Sequence, residues 1–237
     1  MSQPHASAVR VGIVDDHQLF AESLATTLRL ERYDARRIVL PPDGGTTAQL
    51  VGAITRFHPD VLLLDLDLGR NGDGMRLIEP SVRAGAVVVI ITGIGDRATW
   101  GECLERGAAT VLLKTSSLEE VLATVRNSVR GLPVLSEDER ASLIRQRQLR
   151  LHDQQVLNER LGRLTARERE ILGHLLKGRT VYDIAMHGTV SEATVRTQVR
   201  SILAKLEVSS QIAAVGLAHQ VGWSGPETET RTSGHQF

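Results

Sequence analysis

Five side chains in this sequence could do chemistry together. Asp15 and Asp16 close the apolar run VRVGIV, Asp65 closes VLLL, Thr92 closes AVVVII and Lys114 closes ATVLL. Carboxylates brought together repel one another, and a hard divalent cation relieves that repulsion. Mg2+ takes oxygen ligands, keeps several waters and brings phosphate oxygens with it. A carboxylate can attack phosphorus to give an aspartyl-phosphate. The group in flight spreads its charge over equatorial oxygens, so a metal, an ammonium and a hydroxyl around it are stabilising. On that chemistry Asp65 is the nucleophile, and Lys114 and Thr92 contact the phosphoryl oxygens. A single acid at the end of an apolar run is equally well explained as a strand-end cap, so the case rests on these residues meeting.

The elements that would bring them together are legible. Short continuous apolar runs read as strands buried on both faces. They fall at 9–14, 35–40, 61–65, 86–92 and 109–113, with helical spacing over 23–30, 46–57 and 97–106. Ser116 and Glu119 form a capping box that opens a further helix, running to about Arg130. Strands alternating with helices predict an α/β doubly wound five-stranded parallel sheet with right-handed crossovers. In such a sheet the C-terminal strand ends share one edge, where open α/β sheets hold their ligands.

Bulk properties set the frame. The chain has 237 residues, enough for two ordinary domains, with 41% hydrophobic and 24% charged residues, as expected of a globular protein. No apolar run approaches the roughly 18 residues a membrane helix needs, and MSQPHASAVR lacks a signal-peptide core. One cysteine, Cys103, excludes an internal disulfide and fits a reducing cytoplasm. Residues 1–125 hold 12 Lys/Arg against 16 Asp/Glu, and residues 126–237 hold 16 against 12. An acidic half joined to a basic half predicts different partners for the two.

The order acid pair, Asp, Thr, Lys resembles the receiver domain of a bacterial response regulator. The resemblance covers about residues 8–131 and is carried by VDDH (14–17), LLLDLDL (62–68), IIT (90–92) and LLK (112–114). It implies a flavodoxin-like fold, with Asp16 a direct Mg2+ ligand, Asp15 an outer one, Asp65 a ligand and phosphoacceptor, and the Asp67 backbone carbonyl a further ligand. The sequence departs from the family pattern at Gly69, usually proline, at Val111, usually an aromatic, and at Thr115, where Pro or Asp is common. By the same resemblance, Asp67 and Ile94 stand at positions expected to tune phosphoryl lifetime. Two other readings of Asp65-Leu66-Asp67 fail. An EF-hand loop begun at Asp67 would need a glutamate where Ile78 stands. Haloacid-dehalogenase-type phosphatases put their Asp-x-Asp on the first strand and the acid pair last, the reverse of the order here.

Gly131-Leu132-Pro133 ends the first half. Ser136 and Glu139 form a capping box for a Gly- and Pro-free stretch reaching Gly162, which reads as a helix. Leu143, Leu157, Leu161 and Leu164 fit one heptad frame, but Arg147, Arg150 and Gln154 take its other seats, so the seam is poor. A helical linker over 132–161 is expected. Beyond it, Thr165 caps a helix to Lys177, Thr180 to Met186 is a short second helix, and 187–190 is a turn. Ser191 caps a helix over 192–206, and a fourth runs from Ser210 to Val221. This is the helix-turn-helix pattern in an all-α four-helix unit. Without a further resemblance, a small bundle with a solvated basic face fits as well.

LTARERE (164–170), GRTVYDIA (178–185), SEATVR (191–196) and AKLEV (204–208) resemble the LuxR-type DNA-binding domain over about residues 162–222. By that resemblance Arg196, Thr197 and Arg200 face bases, and Thr194 and Lys205 approach phosphates. A polar tail over 223–237 is expected to be disordered. The pairing of modules is similar to the NarL/FixJ class of two-component response regulators. It implies a DNA-binding transcription regulator rather than an enzyme, located in the cytoplasm and away from membranes. Its partners would be a sensor histidine kinase, paired DNA half-sites and a second copy, as a homodimer at least when active. The competing reading, motivated by Gly69 and Val111, is an orphan regulator whose receiver works without phosphorylation as a dimer or ligand module. A Mg-dependent phosphatase is a third.

Overall fold

The computed structural model describes residues 8–41 and 44–225. The chain forms two compact units that part between Gln148 and Leu149. The first contains strands β1 (Arg10–Val14), β2 (Asp34–Arg37), β3 (Val61–Leu64), β4 (Val87–Thr92) and β5 (Thr110–Leu113). Helices α1 (Gln18–Leu30), α2 (Thr47–Phe57), α3 (Met75–Arg83), α4 (Arg97–Glu105) and α5 (Leu118–Val129) alternate with them. The sheet is parallel throughout, in the order β2-β1-β3-β4-β5.

That order explains the composition of the strands. All four residues of central β3, VLLL, are buried, because helices cover both faces. One face packs Val14, Leu62, Leu64, Val88 and Ile90 against α2 and α3. The other packs Val11, Ile13, Val61, Leu63, Val89 and Ile91 against α1 and α5. Register then aligns the strand ends: Val14 pairs with Leu64, Leu64 with Ile90, and Thr92 with Leu113. Asp15, Asp65, Thr92 and Lys114 therefore end their strands on one edge.

Several boundaries differ from the sequence reading. The α1 helix starts at Gln18, five residues before Ser23, because its cap residue His17 makes no side-chain capping bond and so gives no signal. Strand β2 stops at Arg37 rather than Leu40, although Ile38 and Leu40 remain buried beneath α2. The α5 cap is Ser117, whose hydroxyl accepts from the Glu120 amide, and not Ser116. Helix α3 carries Pro80 inside it and has no start signal of its own.

In the second unit α7 (Ala166–Leu176), α8 (Val181–Gly188), α9 (Glu192–Leu206) and α10 (Gln211–Gln220) enclose a core of Ile171, Leu172, Ile184, Val195, Val199, Ile202 and Leu206. Capping boxes open α7 at Thr165 and α8 at Thr180; Ser191 and Ser210 cap α9 and α10. A long helix, α6 (Glu137–Gly162), crosses the unit boundary. The heptad leucines, of which Leu164 lies just past this helix, do not share a seam. Leu161 and Leu164 join the second core, while Leu143 is buried within the first unit. Trp223, at the start of the expected tail, also packs on the second core; most of that tail lies outside the described residues.

Gly74 decides whether the loop after β3 can close. A Cβ there would fall 2.0 Å from the Asp65 carbonyl oxygen. Gly74→Ala should destabilise the first unit by about 3 kcal/mol, the upper range of overpacking. Urea unfolding followed at sheet amide resonances checks this.

Candidate functional site

The sheet edge gathers the predicted acids around one ammonium. Lys114 Nζ lies 2.6 Å from Asp65 Oδ2 and 2.9 Å from Asp15 Oδ2. Asp15 and Asp65 are buried, and Asp15 also accepts from the His17 amide at 2.7 Å. Asp16 is exposed, and its Oδ1 lies 2.7 Å from His17 Nδ1. Ligand-type atoms of Asp15, Asp16, His17 and Asp65 all lie within 4.8 Å of one another. Thr92 is fully buried, with its hydroxyl accepting from the Ile94 amide at 3.1 Å. Asp67 is the exception. Its carboxylate accepts from the Gly69 amide at 3.0 Å and stands outside the acid group, while its own amide donates to Asp65 Oδ1 at 3.3 Å.

Electrostatics follow from this packing. Burial pushes the Asp65 carboxyl above the usual range, against the opposing pull of Lys114. Burial also works against the Lys114 charge, but its bonds to Asp65 and Asp15 outweigh that and hold the ammonium protonated more firmly than usual. One ammonium cannot neutralise three carboxylates. The cluster of oxygen donors beside it suits a hard divalent cation, which would add the missing positive charge.

Glycines shape the rim. Gly69 sits at φ +56°, and a Cβ there would come within 3.0 Å of Asp16 Oδ2. A small residue at 69 thus leaves the Asp16 carboxylate its room. His17 was not among the residues singled out by sequence, although it stands next to the acid pair in VDDH. Val111, on edge strand β5, is half-buried and packs against the apolar cluster.

In the second unit, α9 divides cleanly. Val195, Val199, Ile202 and Leu206 face the core; Thr194, Arg196, Thr197 and Arg200 are exposed. Arg196 holds Glu192 at 2.9 Å, one turn back, and the Thr197 hydroxyl donates to the Ala193 carbonyl. Lys205 carries an ion pair with no local signal in the sequence. Its ammonium lies 2.6 Å from Glu168 Oε2, and Ser201 donates to Glu168 Oε1 at 2.6 Å. Glu168 is buried at 3% exposure and also accepts from the Thr165 amide. Burial raises its pKa, but Lys205, Ser201 and Thr165 together bring it down to about 2. The capping-box glutamate of α7 thereby clamps α9.

Comparison with known proteins covers the same ground. Residues 11–126 match the response regulator receiver domain, and residues 162–218 match the family described as bacterial regulatory proteins, luxR family. The probable transcriptional regulatory protein NarL of Mycobacterium tuberculosis is 32% identical over 222 residues, 92% of this chain and 97% of that protein. The nitrate/nitrite response regulator protein NarP of Escherichia coli is 30% identical over 213 residues, 89% of this chain and 94% of that protein. The transcriptional regulatory protein DesR of Bacillus subtilis is 27% identical over 221 residues, 91% and 98% of the two chains.

The clamp on α9 has a pH signature. With the folded pKa of Glu168 at about 2 and an ordinary value of 4.5, its stabilisation is complete above that ordinary value and is lost as pH falls toward the folded one. The loss should amount to about 3 kcal/mol in the second unit. Urea unfolding of the full chain, read at α7 and α9 amide resonances across that pH range, checks it. Glu168→Gln should flatten the pH slope.

Proposed function

Because the chain belongs to the NarL/FixJ class of two-component, DNA-binding transcriptional response regulators, we propose that Asp65 accepts a phosphoryl group from a sensor histidine kinase and that this controls binding of the second unit to DNA. The observation that carries the reading is the Lys114 ammonium held 2.6 Å from Asp65 and 2.9 Å from Asp15, at the mouth of a buried acid group. An ammonium so placed stabilises charge on a phosphoryl group bonded to Asp65.

The transfer balances simply. The phosphorus–nitrogen bond of a kinase phosphohistidine breaks as a phosphorus–oxygen bond to the Asp65 carboxylate forms, and the released imidazole takes a proton from solvent. Lys114 stays protonated and contacts the phosphoryl oxygens. Thr92 accepts from the Ile94 amide, which leaves its hydroxyl proton free to donate to the same oxygens. Asp15, Asp16, Asp65 and the Asp67 backbone carbonyl are the residues that would hold Mg2+, Asp16 directly and Asp15 as an outer ligand. When bound, Mg2+ supplies the positive charge that lets a phosphoryl dianion enter an acidic pocket.

For the output, Arg196, Thr197 and Arg200 on the exposed face of α9 read base edges in the major groove, and Thr194 contacts backbone phosphate. Lys205, at the end of the same helix and paired with Glu168, approaches backbone phosphate beside it. Two copies on paired half-sites, formed by a homodimer in the phosphorylated state, complete the mode. The setting is the cytoplasm, where a DNA-binding regulator meets its target, and Cys103 is a buried free thiol.

Asp65→Ala should abolish phosphoryl incorporation from a small-molecule phosphodonor and any donor-dependent change in size by light scattering. Unchanged DNA affinity and size in wild type under the same donor would remove phosphorylation from the account. Separately, Arg200→Ala should weaken DNA binding by about 1–3 kcal/mol if it reads a base. A fluorescence-anisotropy titration at several salt concentrations tells that role from a phosphate contact, which instead lowers the salt slope by about one.

A further inference from the structure

The site described above is joined to helix α6 by contacts between neighbouring residues. The Thr92 hydroxyl accepts from the Ile94 amide at 3.1 Å. The Ile94 carbonyl accepts from the indole Nε1 of Trp100 at 2.7 Å, which ties the β4–α4 loop to α4. The next residue, Gly101, is buried where α4 meets α6. A Cβ on Gly101 would fall 2.3 Å from the Leu143 carbonyl oxygen and 2.8 Å from Arg147 Cβ. Only a glycine lets the two helices approach so closely at this point.

The seat is specific and polar at its edges. Leu143 is buried at 2% exposure. Arg97 pairs with Glu139 at 2.8 Å and Arg147 with Glu102 at 3.0 Å. The Arg140 guanidinium donates to the Ala108 carbonyl at 3.0 Å and more distantly to those of Leu104 and Ala109, where α4 ends. Residues 137–148 of α6 thus grip α4 at its start, middle and end, all within the first unit. Meanwhile Val111, at the position where receivers usually carry an aromatic switch, is a half-buried aliphatic packed against the apolar cluster.

We propose that Trp100 and Gly101 form a mechanical link through which phosphorylation of Asp65 unseats the N-terminal half of α6 from α4. This rests on Asp65 being the phosphoacceptor. When Thr92 turns its hydroxyl proton to the phosphoryl oxygens and moves toward them, Ile94 follows through its amide. Its carbonyl draws on Trp100, and the turn of α4 carrying Gly101 shifts beneath Leu143. A contact with no side chain as cushion has little tolerance for such a shift, because packed helices are bistable rather than continuously deformable. Trp100 here does the coupling that an aromatic at 111 would do elsewhere.

The test uses the full chain with Mg2+ and beryllofluoride as the phosphoryl stand-in. Bound fluoride is read by 19F NMR, and amide exchange over 137–148 by mass spectrometry. In wild type, beryllofluoride should bind and exchange over 137–148 should rise about tenfold or more, the signature of local opening. In Trp100→Phe binding should persist while that rise disappears. In Gly101→Ala the fast exchange should be present before beryllofluoride is added. Bound beryllofluoride with unchanged exchange in wild type, or a wild-type response in Trp100→Phe, overturns the link and leaves Asp65 as acceptor. Slow exchange in unliganded Gly101→Ala overturns the role given to the glycine. Absence of bound beryllofluoride in wild type overturns the phosphorylation reading itself, and the link with it.

Discussion

One ammonium between two buried carboxylates sets the terms for the first unit. Burying Asp15 and Asp65 without a partner would cost several kcal/mol each, and Lys114 is the partner, at 2.9 Å and 2.6 Å. It can reach both because β1, β3 and β5 lie in one parallel sheet and end on one edge. The acid excess that remains makes the site avid for further positive charge. The same sheet geometry buries Thr92 alongside. A site built from residues a hundred positions apart is thus held by strand register, and the register is held by two apolar layers that leave β3 no polar position until Asp65.

The close approaches around this edge follow from the same demand. The loop after β3 must fold back tightly to keep Asp65 enclosed, and Gly74 permits it by passing the Asp65 carbonyl without a side chain. Gly69 keeps clear of Asp16 for a related reason. Where glycine appears in α4, the contact is with another helix rather than with the acids. Departures from the usual receiver pattern therefore differ in kind: Gly69 spares a carboxylate, while Val111 puts a half-buried aliphatic against the apolar cluster where an aromatic is usual.

Much of this was readable in the sequence because the signals were strong and local. VLLL followed by an acid can be little else than a buried strand ending at a polar edge, and Ser or Thr followed by Glu three residues later marks α7 openly. Other features were hidden for definite reasons. The start of α1 has no capping side chain to announce it. The heptad leucines of α6 share a spacing but serve separate cores, which periodicity cannot distinguish. The tie between Lys205 and Glu168 spans 37 residues, so nothing local in the sequence shows that this basic residue also braces the scaffold. His17 lay beside the acid pair in plain view, but only coordinates show it joining their cluster.

That tie separates the labour along α9. Residues 195, 199, 201, 202, 205 and 206 are committed to holding the helix in place, by apolar packing and by the Glu168 clamp. Residues 194, 196, 197 and 200 carry none of that duty beyond bonds to their own turn. Substitutions on the outer face can therefore accumulate without reopening the question of whether the domain folds. If that outer face reads bases as proposed, the scaffold is fixed and the address is editable, and one architecture can diversify its targets by a few exposed substitutions.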